Sequence, residues 1–525
     1  MGIPSYYKKL IDTVPGLVTK YNSYDVNWLF MDFNCLIYHC LDMDNIQNIS
    51  EWETTFIDSI ITYCLKIINE VRPKGVFIAI DGVVPMAKMR QQRLRRFKSV
   101  WLDKTSKWDK NSITPGTLFM AKLNTRLREM VSTHDNWILS SSDEPGEGEH
   151  KIMTEWRKGT YKGNFAVYGL DADLIVLSML GHECCNLEKI WLFREEMNAG
   201  KIIYDSVGNE IYNWFSIHEL KKWIQSCSTP RSSICTSPCT SRTNPRTFIL
   251  NYCFALSILG NDFLPSSLGL KMREDGHSEL LTILRSLTNI LVDDSLTISF
   301  AGVLELFTLL SMNEATRITT YITKKQMLAN HIKHSEKSEL NIGEHNWPLA
   351  NIEESVLLDH KKLHTNWDDI YSNFFHDSIH TICKEYIYGI QWVWAYYIGN
   401  MKDVCYNWYY PYNLPPLWKW ISSYLINNSI TFPQQVHIKA TDIKTVEQLA
   451  IVLPLESWSL IPPCIERHIP LLAPQYYPYT FGFESIGKRY FWECEPMIPI
   501  PSITDIKALI RNYHNGKVSN ITYTS

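Results

Sequence analysis

Val76-Phe77-Ile78-Ala79-Ile80-Asp81-Gly82 is a short apolar run that ends on an acid and a glycine. The same design stands at Asn27-Trp28-Leu29-Phe30-Met31-Asp32-Phe33, and again at Asn164-Phe165-Ala166-Val167-Tyr168-Gly169-Leu170-Asp171. Short, nearly continuous apolar runs separated by helix-length segments predict buried parallel strands. The expected fold class is therefore α/β, a mostly parallel sheet flanked by helices. Beyond about residue 376 the chain becomes rich in Trp and Tyr with helical patterns, and a largely helical second region is expected. Ligands of such sheets bind outside the carboxyl ends of the strands. Those ends carry Asp32, Asp81, Asp171 and Asp173.

Further acids extend the pattern. Pro145-Gly146-Glu147-Gly148-Glu149-His150 sets two glutamates at i, i+2, and Asp171-Ala172-Asp173 repeats the spacing. In an extended segment, i and i+2 point to one side, so each pair aims two carboxylates at one point. Asp262, in Leu259-Gly260-Asn261-Asp262-Phe263, follows a helix-like apolar stretch. Taken singly, each acid reads as a helix cap or a solvated side chain. Converged, the seven would repel and several would protonate; a divalent cation resolves the conflict. Oxygen ligands select Mg²⁺, Mn²⁺ or Ca²⁺ over Zn²⁺. Two such ions about 4 Å apart activate water and stabilise the leaving oxygen of a phosphodiester. Zinc fits less well. His150 beside Glu149, and His182 near Cys184 and Cys185, lack a second ligand pair and read as structural. Cys227, Cys235 and Cys239, in or beside the Ser/Thr/Pro-rich loop 226–246, would make only half a site.

Close after Asp81 comes Met-Ala-Lys-Met-Arg-Gln-Gln-Arg-Leu-Arg-Arg-Phe-Lys, residues 86–98, with no acid in it. On a helix, Lys88, Gln92, Arg95 and Arg96 stand at i, i+4, i+7 and i+8, one face. That face offers an ammonium, an amide and two guanidinium forks to one anion, such as a terminal phosphate. The bland alternative is a solvated basic helix.

The chain has 525 residues, 45% hydrophobic and 20% charged, the composition of a folded, soluble protein. Lys+Arg of 51 against Asp+Glu of 55 argues against a general nucleic-acid coat. No apolar run reaches the length of a membrane span, and the N-terminus lacks a signal-peptide design. Thirteen scattered cysteines read as reduced thiols. The expected compartment is the cytoplasm, with the nucleus left open. Residues 324–346, polar and charged, read as a linker or insertion.

Together these motifs resemble the Xrn family of 5′→3′ exoribonucleases. Besides the segments above, the likeness rests on Met1-Gly2-Ile3-Pro4, Phe193-Arg194-Glu195-Glu196, Gly389-Ile390-Gln391-Trp392, Asn407-Trp408-Tyr409-Tyr410-Pro411-Tyr412 and Glu447-Gln448-Leu449. It implies a PIN/flap-nuclease-like core over 1–300, a variable helical or linker region over 301–375, and a second region over 376–525 that completes the substrate channel. It implies that Asp32, Asp81, Glu147, Glu149, Asp171, Asp173 and Asp262 hold Mg²⁺, or Mn²⁺ in its place, as two ions. Lys88, Gln92, Arg95 and Arg96 match a pocket for a 5′-monophosphate. The implied substrate is single-stranded RNA carrying that phosphate, degraded processively to 5′-mononucleotides. Family members stack the leading bases between a His and a Trp. Trp408 fits the Trp; the His position falls on Tyr38, with His39 next to it. The long C-terminal accessory region of cytoplasmic members has no counterpart here, so no partner recruitment through it is implied. Two alternatives weigh less. A structure-specific 5′ nuclease on DNA would carry a glycine-rich element after the last acid, yet Asp262 is followed by Phe263-Leu264-Pro265-Ser266-Ser267-Leu268. An inactive RNA-binding scaffold would have lost acids, and all seven are present.

Overall fold

The computed structural model describes residues 3, 5–21, 25–43, 46–103, 105–185, 187–198, 201–227, 244–333, 349, 352–402, 404–428, 442–461 and 468–514. Cys235 and Cys239 lie outside the described residues, as do Met1, Gly2 and Pro4.

Seven strands form one sheet: β1 (Val18–Thr19), β2 (Trp28–Asp32), β3 (Gly75–Ala79), β4 (Trp137–Ser140), β5 (Phe165–Tyr168), β6 (Ile190–Glu195) and β7 (Tyr212–Ser216), in the order β1-β7-β6-β5-β2-β3-β4. Neighbours from β4 through to β6 pair in parallel, while β7 and β1 add an antiparallel edge. The three apolar runs are thus the central strands. Successive side chains point to opposite faces, and both faces are buried. Phe30, Phe77, Ala79, Phe165 and Val167 enter one core; Leu29, Met31, Val76, Ile78, Ala166 and Tyr168 enter the other. That is why these strands read as continuous rather than alternating.

β2 precedes the other parallel strands in the chain and lies between β3 and β5. The winding reverses beside it, and the crevice of such a sheet opens at that switch point. Asp32 ends β2 there, and Asp171 and Asp173 follow β5 on the adjoining side.

The helical region after residue 300 shares the first of these cores, contributing Tyr386, Trp392, Trp418 and Leu449. It also grips the turn after β3. Gln448, fully buried, accepts from Val84 N at 2.9 Å, and Tyr406 O accepts from Met86 N at 2.7 Å. The linker expected over 324–346 is corrected in its first part: Glu314–Lys333 is one helix. Its apolar residues Ile318, Tyr321, Ile322 and Ala329 are buried, a helical spacing diluted by polar neighbours. Among the described residues no helix is long and apolar enough to cross a membrane, and the described cysteines are free thiols.

Candidate active site

Two loops close on each other at the carboxyl end of the sheet. Gly82 N donates to Gly146 O at 2.8 Å, and Gly146 N to Val83 O at 2.7 Å. A Cβ on Gly82 would stand 1.7 Å from Glu144 O, so only glycine permits the approach. Asp81 is fixed between them. Its Oδ1 accepts from Gly148 N at 2.8 Å and its Oδ2 from Asn34 Nδ2 at 3.0 Å. Gly148 opens the helix Gly148–Arg157, whose N-terminal dipole favours an anion. A Cβ on Gly148 would lie 2.6 Å from Asp32 Oδ1. Glycine therefore lets the loop bearing Glu147 and Glu149 reach Asp32.

The predicted acids do come together, and most are buried: Glu147 and Asp173 are 2% exposed, Glu149 6% and Asp32 9%. Among the described residues, Lys88 brings a cation into the cluster. Lys88 Nζ lies 2.5 Å from Glu147 Oε2 and 2.9 Å from Asp262 Oδ2. Tyr396, from the helix Ile379–Ile398, donates its hydroxyl to Glu147 Oε1 at 2.6 Å.

A single ammonium does not balance this charge. Burial, then the charges of Asp81, Asp171 and Asp173, push the Asp32 carboxyl well above the usual range. Burial, then Asp173 and Glu147, do the same to Glu149. Asp173 is pushed up to about 7 by burial and by Asp171 and Asp262, and its Oδ1 is buried without a hydrogen-bond partner. Burial also raises Glu147, against the pull of Lys88. At Asp262 burial again pushes up, but positive charge, with Lys88 foremost and Arg95 adding to it, holds the carboxyl below its ordinary value. Mutually raised carboxylates with an orphaned oxygen are what an absent cation would relieve, so the donor set fits a hard divalent ion.

His150 also lies in this cluster. His150 can offer a ring nitrogen alongside Glu147 and Glu149, the three ligand atoms within 4.8 Å of one another. Its ring stacks on Tyr396 at 3.5 Å and its Nε2 is buried without a partner. His182, by contrast, bonds Lys221 Nζ at 2.7 Å.

The basic helix (Met86–Leu102) is not a solvated one. It is buried on several sides, and its basic residues divide by role. Lys88 points into the acids. Arg93, fully buried, donates Nε to Pro499 O at 3.1 Å, Nη1 to Ile451 O at 2.6 Å and Nη2 to Tyr476 O. Lys98 donates to the carbonyls of Phe491, Trp492 and Cys494. Gln92 and Arg96 differ: both are buried, yet Gln92 Oε1 and Arg96 Nη1 have no hydrogen-bond partner. Burial pushes Arg96 down to about 10; Tyr38 works against the shift, and Arg95 adds to it. Arg95 beside them is exposed.

Residues 1–196 match the family model described as XRN 5′-3′ exonuclease N-terminus, and residues 361–515 match the Xrn1 helical domain. This chain belongs to the Xrn family. It is 27% identical to human 5′-3′ exoribonuclease 1, over 95% of this chain and 33% of that protein. It is 23% identical to the Schizosaccharomyces pombe protein of the same name, over 95% of this chain and 47% of that protein. Against Saccharomyces cerevisiae 5′-3′ exoribonuclease 1 it is 30% identical over 54% of this chain and 20% of that protein. The chain thus spans less than half the length of these Xrn relatives.

Of the residues expected to stack on bases, Tyr38 is 43% exposed and neighbours Arg96. Trp408 is 9% exposed; its Nε1 donates to Glu385 at 3.1 Å and its ring packs on Tyr388 and Trp392. His39 is turned elsewhere, stacked on Tyr63 at 4.1 Å with Nε2 3.9 Å from Glu210. Neighbouring helix residues point about 100° apart, so only one of Tyr38 and His39 faces Arg96. Sequence reasoning missed Asn34, Tyr396 and Gln448 as supports of the site. Tyr396 sits in Trp392-Val393-Trp394-Ala395-Tyr396-Tyr397, where nothing in the pattern separates a tyrosine of the site from one of the core.

Proposed function

We propose that this chain is a divalent-cation-dependent 5′→3′ exoribonuclease acting on single-stranded RNA with a 5′-monophosphate. The observation that carries this reading is one juxtaposition. Buried, mutually raised carboxylates (Asp32, Glu149, Asp173) lie beside buried, unpartnered donors and acceptors (Gln92, Arg96) on the helix that begins just after Asp81. Asp32, Asp81, Glu147, Glu149, Asp171, Asp173 and Asp262 are the residues that would hold the cations, Mg²⁺ or Mn²⁺, as two ions. When bound, the ions supply Lewis-acid polarisation and charge neutralisation at the scissile phosphate. Lys88 is already seated among the acids, opposing the effect of burial at Glu147 and helping to hold Asp262 below its ordinary value. Arg96 and Gln92, with Arg95 at the rim, bind the terminal phosphate and fix the first phosphodiester over the acids. A buried pocket of that kind rejects capped and triphosphorylated ends by size. Water adds to phosphorus and the bond to the 3′ oxygen breaks, so the departing nucleotide keeps its 5′-phosphate and the shortened strand gains one. The product strand is again a substrate, which makes the reaction processive. Tyr38, exposed beside Arg96, is placed to stack on a leading base.

The test compares one single-stranded RNA carrying a 5′-monophosphate, 5′-hydroxyl or 5′-triphosphate, with Mg²⁺ and then with chelator. Mononucleotide release from the monophosphate RNA alone, abolished by chelator, is expected. Cleavage indifferent to the 5′ end discards the Gln92–Arg96 assignment. Binding without cleavage of any end overturns the nuclease reading.

A further inference from the structure

Beside the acids, and distinct from the Gln92–Arg96 pocket, lies a cavity of about 420 Å³, within the roughly 300–1,000 Å³ range of small-molecule sites. One wall is the flank of the basic helix bearing Gln91, Leu94, Arg95 and Lys98, which share a face at i, i+3, i+4 and i+7. Gln92 and Arg96 are not in its lining, whereas Arg95 and, from the acid cluster, Asp262 are.

Its chemistry mirrors that of the acidic cluster. Basic side chains outnumber acidic ones in the lining, seven to four. Lys271 Nζ meets Ser266 Oγ at 3.3 Å and the face of Tyr321 at 5.1 Å, with no acid in ion-pair range among the described residues. Lys488, also lining the cavity, has no ion pair there either. Burial first, and then Lys488, push Lys271 down to about 8. Glu493 and Glu354 oppose that shift from beyond ion-pair range, so two ammonium groups without a directly paired acid call for an anion, as crowded carboxylates call for a cation. Two neutral groups await partners as well. Tyr321 is 4% exposed and its hydroxyl has none, nor has Gln91 Oε1. Trp492, 36% exposed, adds an aromatic surface.

We propose that this cavity binds a nucleoside 5′-monophosphate, with the phosphate at Lys271 and Lys488 and the nucleoside against Trp492, Tyr321 and Gln91. The identity of that ligand as the reaction product rests on the proposed function. An anion, an aromatic ring and hydroxyl groups in one molecule satisfy every unpartnered group of the cavity. Asp262, one of the acids, is part of its lining, which places the cavity next to the site where that product forms. A nucleotide retained there slows the next advance of the strand.

The test is titration calorimetry of 5′-AMP with the full chain in chelator, for the natural protein, Lys271→Gln/Lys488→Gln, Trp492→Ala and Gln92→Ala. The Lys double variant is expected to bind at least about 10-fold more weakly, and Trp492→Ala more weakly as well. Single-turnover cleavage of 5′-monophosphate RNA stays within about twofold in both, and inhibition by added AMP is relieved. Trp492 is half exposed, so its variant serves if the lysine pair proves needed for folding. Unchanged AMP affinity in these variants, or loss in Gln92→Ala alone, overturns the proposal. A chain that binds AMP through Lys271 and Lys488 yet cleaves no RNA with Mg²⁺ leaves the cavity assigned and defeats the nuclease reading.

Discussion

Arg93 and Arg96 stand three residues apart on one helix, and both are buried. Around Arg93 every guanidinium nitrogen finds a carbonyl, from Pro499, Ile451 and Tyr476. Around Arg96 nothing among the described residues completes Nη1, and Gln92 Oε1 one turn earlier also lacks a partner. Buried polar groups are almost always satisfied within a fold. Satisfied burial marks a residue that holds the structure together; unsatisfied burial marks one whose partner is elsewhere. The acids repeat the contrast. Asp81 is bonded by Gly148 and Asn34, while Asp173 keeps an orphaned oxygen.

The largest effect that tests this contrast is Asp171→Ala. Turnover of 5′-monophosphate RNA falls by about 10³-fold, the scale of losing one transition-state stabiliser, while RNA binding in a mobility-shift assay persists. Retained cleavage breaks the assignment of the acids.

Next comes the arginine pair itself. Arg93→Ala strands three carbonyls and costs about 4 kcal/mol in urea unfolding. Arg96→Ala changes stability by no more than about 1 kcal/mol, because its charge was buried without compensation. Its preference for a 5′-monophosphate over a 5′-hydroxyl falls about 100-fold. Similar destabilisation by both substitutions erases the distinction.

Divalent cation should stabilise the fold by about 2.7 kcal/mol at a concentration 100 times its Kd, read as a rise in thermal midpoint. The pH dependence has a definite sign. Burial and the charges of Asp171 and Asp262 push Asp173 up to about 7 in the folded chain, from an ordinary value of 3.8. Between those values the native state binds more protons than the unfolded state, so without cation stability falls as pH rises from about 4 to about 7. Cation binding displaces that proton and strengthens over the same window. A cation-free stability that climbs with pH contradicts the raised carboxyl.

The smallest effect is Tyr396→Phe, which removes the donor to Glu147. Cation affinity, followed by calorimetry, weakens about 10-fold with little change in stability. An unaltered affinity reduces Tyr396 to packing against His150.

Much of this was legible in the residues. The three apolar runs became β2, β3 and β5 because strands buried on both faces need no polar alternation. Paired acids between glycines announced close approach, and Gly148 against Asp32 is that approach. Strands β4, β6 and β7 were not singled out. β4 reads Trp137-Ile138-Leu139-Ser140 at a sheet edge, partly exposed, and lacks a long apolar run. Lys88 shares the helix face of Gln92 and Arg96, as its spacing predicts, and its ammonium also reaches Glu147 and Asp262. Helical spacing says which residues share a face; it does not say which loop that face will meet.

Residue order alone determined which positions carry carboxylates, where the strands end and which residues of the basic helix align. Those follow from local rules of period and burial. Only the tertiary structure decided which buried groups are satisfied. It spent Arg93 and Lys98 on backbone carbonyls, set Lys88 between Glu147 and Asp262, brought Tyr396 and Gln448 to loops hundreds of residues away in the chain, and left Gln92, Arg96 and Asp173 incomplete. Satisfaction depends on what lies within about 3 Å in space, and separation along the chain says nothing of that distance.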